Sequence, residues 1–242
     1  MEPYFYPVAD LHTHTCVSPH AYSTVTENAA AAAARGLLAI ACTDHGPTMD
    51  DGVHWWHFYC LKNLPDHIAG IRHLRGCEAN VSGFDGSLDL PERAFSSLEL
   101  VIASMHDCAM PFGTPAEITE AWLAVARDPR VDIIGHCGTP MYQFDYEKVI
   151  PEFGKCGKVV EINESTFKMR ASSLENCARV ARLCKQHGVR IAVDSDAHYH
   201  ESVGLMPKAI AMLEEIAFPK ELIINSSRER LEEFLKEKQV SL

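Results

Sequence analysis

Two short segments, almost a whole chain apart, carry the residues best suited to chemistry. Asp10-Leu-His-Thr-His14 and Asp194-Ser-Asp-Ala-His198 each set carboxylate and imidazole groups at every second position. On a strand, alternate side chains share a face. Asp10, His12 and His14 therefore aim one way, and so do Asp194, Asp196 and His198. These are the donor types that bind divalent transition metals. For both sets to serve one site, a sheet must curl until its distant strands meet.

The rest of the chain supplies that sheet. Seven short apolar runs each end in a polar group. Tyr6–Leu11 leads into His12 and His14, and Leu37–Cys42 into Asp44 and His45. Leu74–Cys77 ends in Glu78, Leu100–Met105 in His106, and Val131–Gly135 in His136. Val159–Ile162 ends in Asn163 and Glu164, and Arg190–Val193 in Asp194, Asp196 and His198. Helix signals lie between the runs. Thr24-x-x-Glu27 forms a capping box ahead of the alanine run Ala29–Ala34, which Gly36 closes. Thr114-Pro115 opens a second helix, residues 172–187 before Gly188 a third, Met206 to Ala217 a fourth, and Ser226-x-x-Glu229 a last one. Strand alternating with helix predicts an α/β fold with a mainly parallel sheet. Polar groups gathered at strand C-termini mark the active face of such folds. Seven ends sharing one chemistry predict a closed or nearly closed barrel, because the outer strands of an open sheet end too far apart.

A histidine taken alone is more often a hydrogen-bonding residue than a ligand. Of the thirteen histidines, His54, His57, His67, His73, His187 and His200 have no strand-end context and keep that reading. His12, His14, His20, His45, His106, His136 and His198 follow strand-like runs, and Glu78 and Asp196 occupy equivalent places. As a set, these nine are the expected metal ligands. With three to four ligands per ion and one bridging carboxylate, they fit three divalent cations, of which zinc, manganese or iron suit imidazole–carboxylate donors. Asp10 and Asp194 are expected either to orient ligand imidazoles or to cap strand ends.

Bulk properties set the frame. The 242 residues fit a single domain over 1–242. Net charge is −11 with no Lys/Arg stripe, which argues against nucleic acid as a partner. No apolar run reaches transmembrane length, and Met-Glu-Pro-Tyr does not begin a signal peptide, so a cytoplasmic location away from membranes is expected. Nine cysteines without a Cys-x-x-Cys pair fit reduced thiols, with Cys16, Cys42, Cys77, Cys108 and Cys137 expected to be buried. The segment His54-Trp-Trp-His57-Phe-Tyr59 is read either as a lid bringing His54 and His57 to substrate, or as loop packing or the contact of a small homo-oligomer. Arg170, with Lys168 nearby, is read as a phosphate contact or as an ordinary surface residue.

Seven segments together resemble the PHP domain, named for polymerase and histidinol phosphatase. They are Asp10–His14, Ser18-Pro-His-Ala-Tyr-Ser23, Thr43-Asp-His-Gly46, Gly76-Cys-Glu-Ala-Asn80, His136-Cys-Gly-Thr-Pro140, Glu161-Ile-Asn163 and Asp194–His198. Their order and spacing are most similar to the YcdX-like phosphatase subgroup, over roughly residues 8 to 235. The resemblance implies a distorted seven-stranded β/α (TIM-like) barrel with a trinuclear centre. It implies that His12, His14, Glu78 and Asp196 hold one ion. Glu78 then bridges to a second ion with His106 and His136, and His20, His45 and His198 hold a third. The implied activity is phosphoester hydrolysis, usually with zinc or manganese. The expected substrate is a small phosphorylated metabolite, cleaved by water that the cations activate, with a metal-bound water, Asp196 or His198 as the acid beside the cluster. Rival readings are a phosphodiesterase or exonuclease, a histidinol phosphatase, and a non-catalytic metal-binding regulatory module. The stretches Asn163–Arg170 and Asp107-Cys-Ala-Met-Pro depart from the family pattern, so the resemblance does not fix substrate choice.

Overall fold

Strand-forming runs rich in Ala, Val and Ile assemble into a ring in this protein, whose computed structural model describes residues 4–50 and 52–242. The strands are β1 (Ala9–Thr13), β2 (Ala39–Cys42), β3 (His67–Ile68), β4 (Ile71–Asn80), β5 (Leu100–Ser104), β6 (Ile133–Ile134), β7 (Val159–Asn163) and β8 (Ile191–Asp194). They pair in the order β1-β2-β4-β5-β6-β7-β8, all parallel. β3 escaped the sequence reading because it is only two residues long. It folds back on β4 through Ala69 and Gly70, whose φ values of 52° and 83° fit the tight primed turns of hairpins.

Between the strands lie α1 (Val25–Ala34), α2 (Trp56–Cys60), α3 (Glu92–Phe95), α4 (Pro115–Arg127), α5 (Tyr146–Lys155), α6 (Thr166–Met169), α7 (Leu174–His187), α8 (Pro207–Glu215) and α9 (Arg228–Glu237). The expected capping box opens α1, and Thr114 with Glu117 makes a second one at α4. α7 stops at Gly188, which takes φ 66°. At α9 the cap is Ser227, whose hydroxyl accepts from the Arg230 N–H; Ser226 instead donates to the Lys220 and Ile223 carbonyls. Pro151 and Gly154 hid α5 from the sequence reading. Its buried face of Tyr146, Val149, Ile150 and Phe153, at helical spacing, overrides both.

The lumen is one apolar cluster to which all seven parallel strands contribute, including Leu74 from β4, Leu100 and Ile102 from β5, and Val159 from β7. Leu231, Phe234 and Leu235 of α9 join the same cluster. By strand alternation, Glu78 shares the face of Leu74, and Glu161 shares the face of Val159. Both carboxylates therefore stand inside the ring, at the C-terminal ends of their strands.

β1 and β8 meet at a seam closed largely by side chains. One parallel bridge joins Thr13 and Ala197. Elsewhere Leu11 N–H donates to Asp194 Oδ1 at 2.8 Å, and Ser195 and Gly204 N–H donate to Asp10 at 3.1 and 2.7 Å. Asn225 donates to the Ala9 and Val193 carbonyls at 3.0 and 2.7 Å and accepts from Val193 N–H at 3.1 Å. The result is a nearly closed, TIM-like barrel.

All nine cysteines are free thiols. Cys42, Cys77 and Cys137 are buried as expected, but Cys16 is exposed and Cys108 half-buried, because both lie in strand-end loops rather than in strands. Among the described residues, no helix is long and apolar enough to cross a membrane.

Candidate metal centre

The strand ends bring all nine expected ligand residues together at one mouth of the barrel. Glu78 is the hub. Its Oε1 lies 2.8 Å from His136 Nε2 and 3.5 Å from His106 Nε2. Its Oε2 lies 2.7 Å from His45 Nδ1, 3.4 Å from His12 Nε2 and 3.6 Å from His14 Nε2. Asp196 Oδ1 sits 3.2 Å from His14 Nε2, 3.7 Å from His12 Nε2 and 3.5 Å from His198 Nδ1. His20 Nε2 faces His45 Nε2 at 3.2 Å, and its ring stacks against His198.

This geometry suits cations better than protons. His12 Nε2 and His14 Nε2 face each other at 3.1 Å, and only one member of such a pair can donate. His14 Nδ1 and His106 Nε2 are buried without a hydrogen-bond partner. Buried orphans of this kind carry a full desolvation penalty. Divalent ions among these atoms would relieve it, so the donor set fits metal. Three tight clusters of possible donors stand out among the described residues: His12/His14/Asp196, His14/His45/His198 and His45/Glu78/His106. His14 and His45 each belong to two of them, so the clusters share donors and abut.

The charge states agree. Burial alone would raise the pKa of Glu78, but His12, His106 and His45 hold it well below the ordinary carboxylate range. Asp196 follows the same logic, with burial opposed by His12, His14 and Arg170. Burial pulls His12 down, yet Glu161, Glu78 and Asp196 carry it well above ordinary imidazole. Burial, helped by His45, pushes His14 down to about 3, and burial pushes His106 to about 3 against the pull of Glu78. Ionised Glu78 and Asp196 beside neutral His14 and His106 are the state in which such groups bind metal, whereas His12, and His45 raised by Glu78 against its burial, would each release a proton as an ion entered.

The sequence reading gave no orienting role to Glu161, Asn163, Asn80 or Asp44, the residues that aim the ligands. Glu161 Oε1 accepts from His12 Nδ1 at 2.6 Å, which leaves the Nε2 lone pair directed at the cluster. Glu161 Oε2 accepts from the His136 N–H at 2.8 Å. His136 needs that hold, since its φ of 22° lies in the left-handed region that non-glycine residues avoid; Asp196, at 54°, does too. Asn163 donates to Glu161 at 3.2 Å and to Asp196 at 3.1 Å. Asn80 accepts from His106 Nδ1 at 2.7 Å while its amide donates to Asp89, which frees His106 Nε2. Asp44 accepts from Thr15 N–H, Thr15 Oγ1 and Ser18 Oγ at 2.7–2.8 Å, pinning the loop that carries His20. In each case the available signal was parity: Glu161 and Asn163, like Glu78 and Asn80, alternate on one strand face. Asp10 and Asp194 act as strand-end caps across the seam, the second of the two roles expected for them. Burial raises Asp10 to about 6 against hydrogen bonds from Ser195 and Gly204.

A cavity of about 560 Å³ opens over the cluster and is lined in part by His20, His45, His106, Asp196 and His198. Arg170 lines it too and donates to Asp196 Oδ2 at 3.1 Å. Lys168 stands at its edge. His54 and His57 are not among the lining residues, contrary to the lid reading. His54 Nδ1 accepts from Trp56 N–H at 3.2 Å, and His57 Nε2 lies 3.6 Å from Asp44 Oδ2. Their segment packs on its own neighbours, with Phe58 in the cluster beneath it and Trp55 against Arg93.

A β/α barrel with imidazoles and carboxylates converging at the C-terminal ends of its strands defines the class, a hydrolase barrel of metal-binding layout. The family model for the PHP domain matches residues 10–165, and the chain belongs to that family. A probable phosphatase of Clostridium novyi (strain NT) is 44% identical over 232 residues, covering 96% of this chain and 95% of the relative. A probable phosphatase of Thermoanaerobacter sp. (strain X514) is 44% identical over 233 residues, with 96% and 95% covered. In fold, the chain is similar to histidinol phosphate phosphatase from Lactococcus lactis subsp. lactis, solved with zinc, L-histidinol and phosphate. The TM-score there is 0.59 at 15% identity, covering 88% of this chain and 95% of that one. A probable 2-pyrone-4,6-dicarboxylic acid hydrolase from Acinetobacter baumannii gives a TM-score of 0.51 at 14% identity, with 95% and 99% covered. Family and relatives mark the chain as an enzyme of the hydrolase class.

Proposed function

We propose that this protein is a metal-dependent phosphatase that hydrolyses a small phosphomonoester. The observation that carries the reading is the gathering of seven imidazoles with Glu78 and Asp196, beneath a cavity that also admits Arg170. The names of the relatives support it, and so does the phosphate named with the Lactococcus lactis neighbour.

His12, His14, Glu78 and Asp196 would hold one divalent ion, Glu78, His106 and His136 a second, and His20, His45 and His198 a third. Zinc or manganese suits the donors, with iron next. Bound there, such ions supply Lewis-acid polarisation of phosphoryl oxygens and acidify a water. The protein's own residues do the rest. Glu161, Asn80 and Asp44 fix ligand orientation before substrate arrives. Arg170 presents guanidinium N–H groups to the phosphate and, through Asp196, stays tied to the cluster. A water, or Asp196 or His198 beside the cluster, would move the proton at the leaving oxygen. The buried floor excludes bulk water from all but the cavity mouth.

The net charge of −11 supports a small metabolite over nucleic acid. The separating assay offers an aryl phosphate and a bis-aryl phosphate diester to metal-loaded protein, with and without chelator. Chelator-sensitive turnover of the monoester, well above that of the diester, is expected. Preference for the diester would make the protein a phosphodiesterase, and turnover of neither would make it a metal-binding module.

A further inference from the structure

The cavity over the cluster has a second chemistry that the metal ligands do not use. Its floor is charged, but four apolar bodies stand around its rim among a few polar side chains. Tyr22 comes from the loop after β1, Met49 from the loop after β2, Met169 from α6 after β7, and Tyr199 from the segment after β8. Single exposed apolar residues mean little, whereas apolar residues gathered on one cavity mark a binding surface. Tyr22 is 75% exposed, Met169 80% and Tyr199 42%, so their apolar bodies stand in solvent around the opening.

Their carriers are held firmly. Tyr22 N–H donates to the His198 carbonyl at 2.8 Å, and His200 N–H donates to Ser23 Oγ at 2.9 Å. These bonds clamp the loop after β1 to the segment after β8. The backbones of Tyr22 and Tyr199 are thereby held beside the cavity, and the Tyr199 ring lies 4.3 Å from that of His200. Of the polar groups that line the cavity outside the cluster, Ser195 already donates to Asp10 and Arg170 is turned toward Asp196, which leaves Ser165, Lys168 and Ser202. A polyol or sugar could meet those three side chains but would leave the rings and thioethers wet.

We infer that the leaving group of the ester is a flat apolar body, an aryl-bearing alcohol, that packs among Tyr22, Met49, Met169 and Tyr199 while its phosphate meets the cluster below. This inference rests on the phosphomonoesterase reading and narrows it to a substrate class. A cavity of about 560 Å³ accommodates a phosphate with one or two rings.

The test compares 2-phenylethyl phosphate with glycerol 1-phosphate on zinc- or manganese-loaded protein. Both leave as alkoxides, so the ratio of kcat/KM reports mainly on the body of the alcohol. A preference of about tenfold or more for the phenyl ester is expected, carried by KM. The double variant Tyr22→Ala, Met169→Ala should bring the ratio close to one; both residues are exposed, so the fold should survive. A ratio near one in the unaltered protein, or a high ratio surviving in the double variant, overturns the inference. Turnover of neither ester would sink the phosphatase reading instead. Calorimetry then decides the binding question with 2-phenylethylphosphonate against 2,3-dihydroxypropylphosphonate: a preference lost in the double variant supports the apolar seat, and no preference overturns it. A dimer in sedimentation that Tyr22→Ala dissociates would assign the rim to a second copy of this chain and end the inference.

Discussion

His12 and Glu161 are joined at 2.6 Å inside the barrel, between the first strand and the seventh, with both side chains fully shielded from solvent. One oxygen of Glu161 sets the tautomer of His12, and the other holds the strained backbone of His136. A single carboxylate thus aims ligands assigned to two different ions. Such outer partners typically govern 10–100-fold in metal affinity. Glu161→Gln should therefore weaken metal binding by roughly that factor, read by competition with a chromophoric chelator. Unchanged affinity would reduce Glu161 to a packing residue.

Glu78→Gln tests the hub. The side chain is nearly isosteric, so far-UV circular dichroism should be retained. The amide cannot serve five imidazoles as the carboxylate does, so bound metal per chain should fall and turnover drop below about one thousandth of the original, a loss near 4 kcal/mol in the barrier. Full metal content with full activity would break the assignment.

Arg170 is tied to Asp196 and faces the cavity. A charge-assisted contact with phosphate is worth about 1.5–3 kcal/mol. Arg170→Ala should raise KM for phosphate esters by about tenfold or more with a smaller change in kcat. An unaltered KM would return Arg170 to the surface.

A prediction about pH concerns the scaffold. Arg130 grips Asp128 with Nε at 2.9 Å and Nη2 at 2.6 Å, beyond the end of α4. Burial would raise the pKa of Asp128, but these hydrogen bonds hold it below the ordinary carboxylate value. A depressed folded pKa means stabilisation that is present above the unfolded value and lost as pH falls through the folded one. Asp128→Asn should cost about 1 kcal/mol near pH 7, or about 2–4 °C in Tm for a chain of this size. The penalty should shrink as pH is lowered toward 3. A constant penalty would show that the carboxylate's charge is irrelevant.

Several of the candidate ligands were legible because they directly follow an apolar strand run, where their type contrasts with what precedes it. His106 after Leu100–Met105 and His136 after Val131–Gly135 are examples. Glu161 was hidden because it lies inside Val159–Ile162 and reads as an interruption of a strand. The seam was only half legible. Asp10 and Asp194 stood out by position, but which backbone groups they cap depends on how the ring closes. α5 was masked by Pro151 and Gly154, and β3 by its brevity. The rim aromatics Tyr22 and Tyr199 carry no spacing signal at all. Loop geometry alone gathers them, whereas the more conspicuous Trp55 and Trp56 lie elsewhere.

The side-chain stitching between β1 and β8 bears on how the protein comes into being. Leu11 and Asp194, joined there, are 183 positions apart. A chain emerging from the ribosome has made most of its imidazoles before that partner exists. Contacts of such long sequence separation form late. The side chains of β1 therefore wait, incompletely caged, until the eighth strand arrives, and tight capture of a metal there would be the closing event of maturation rather than its seed.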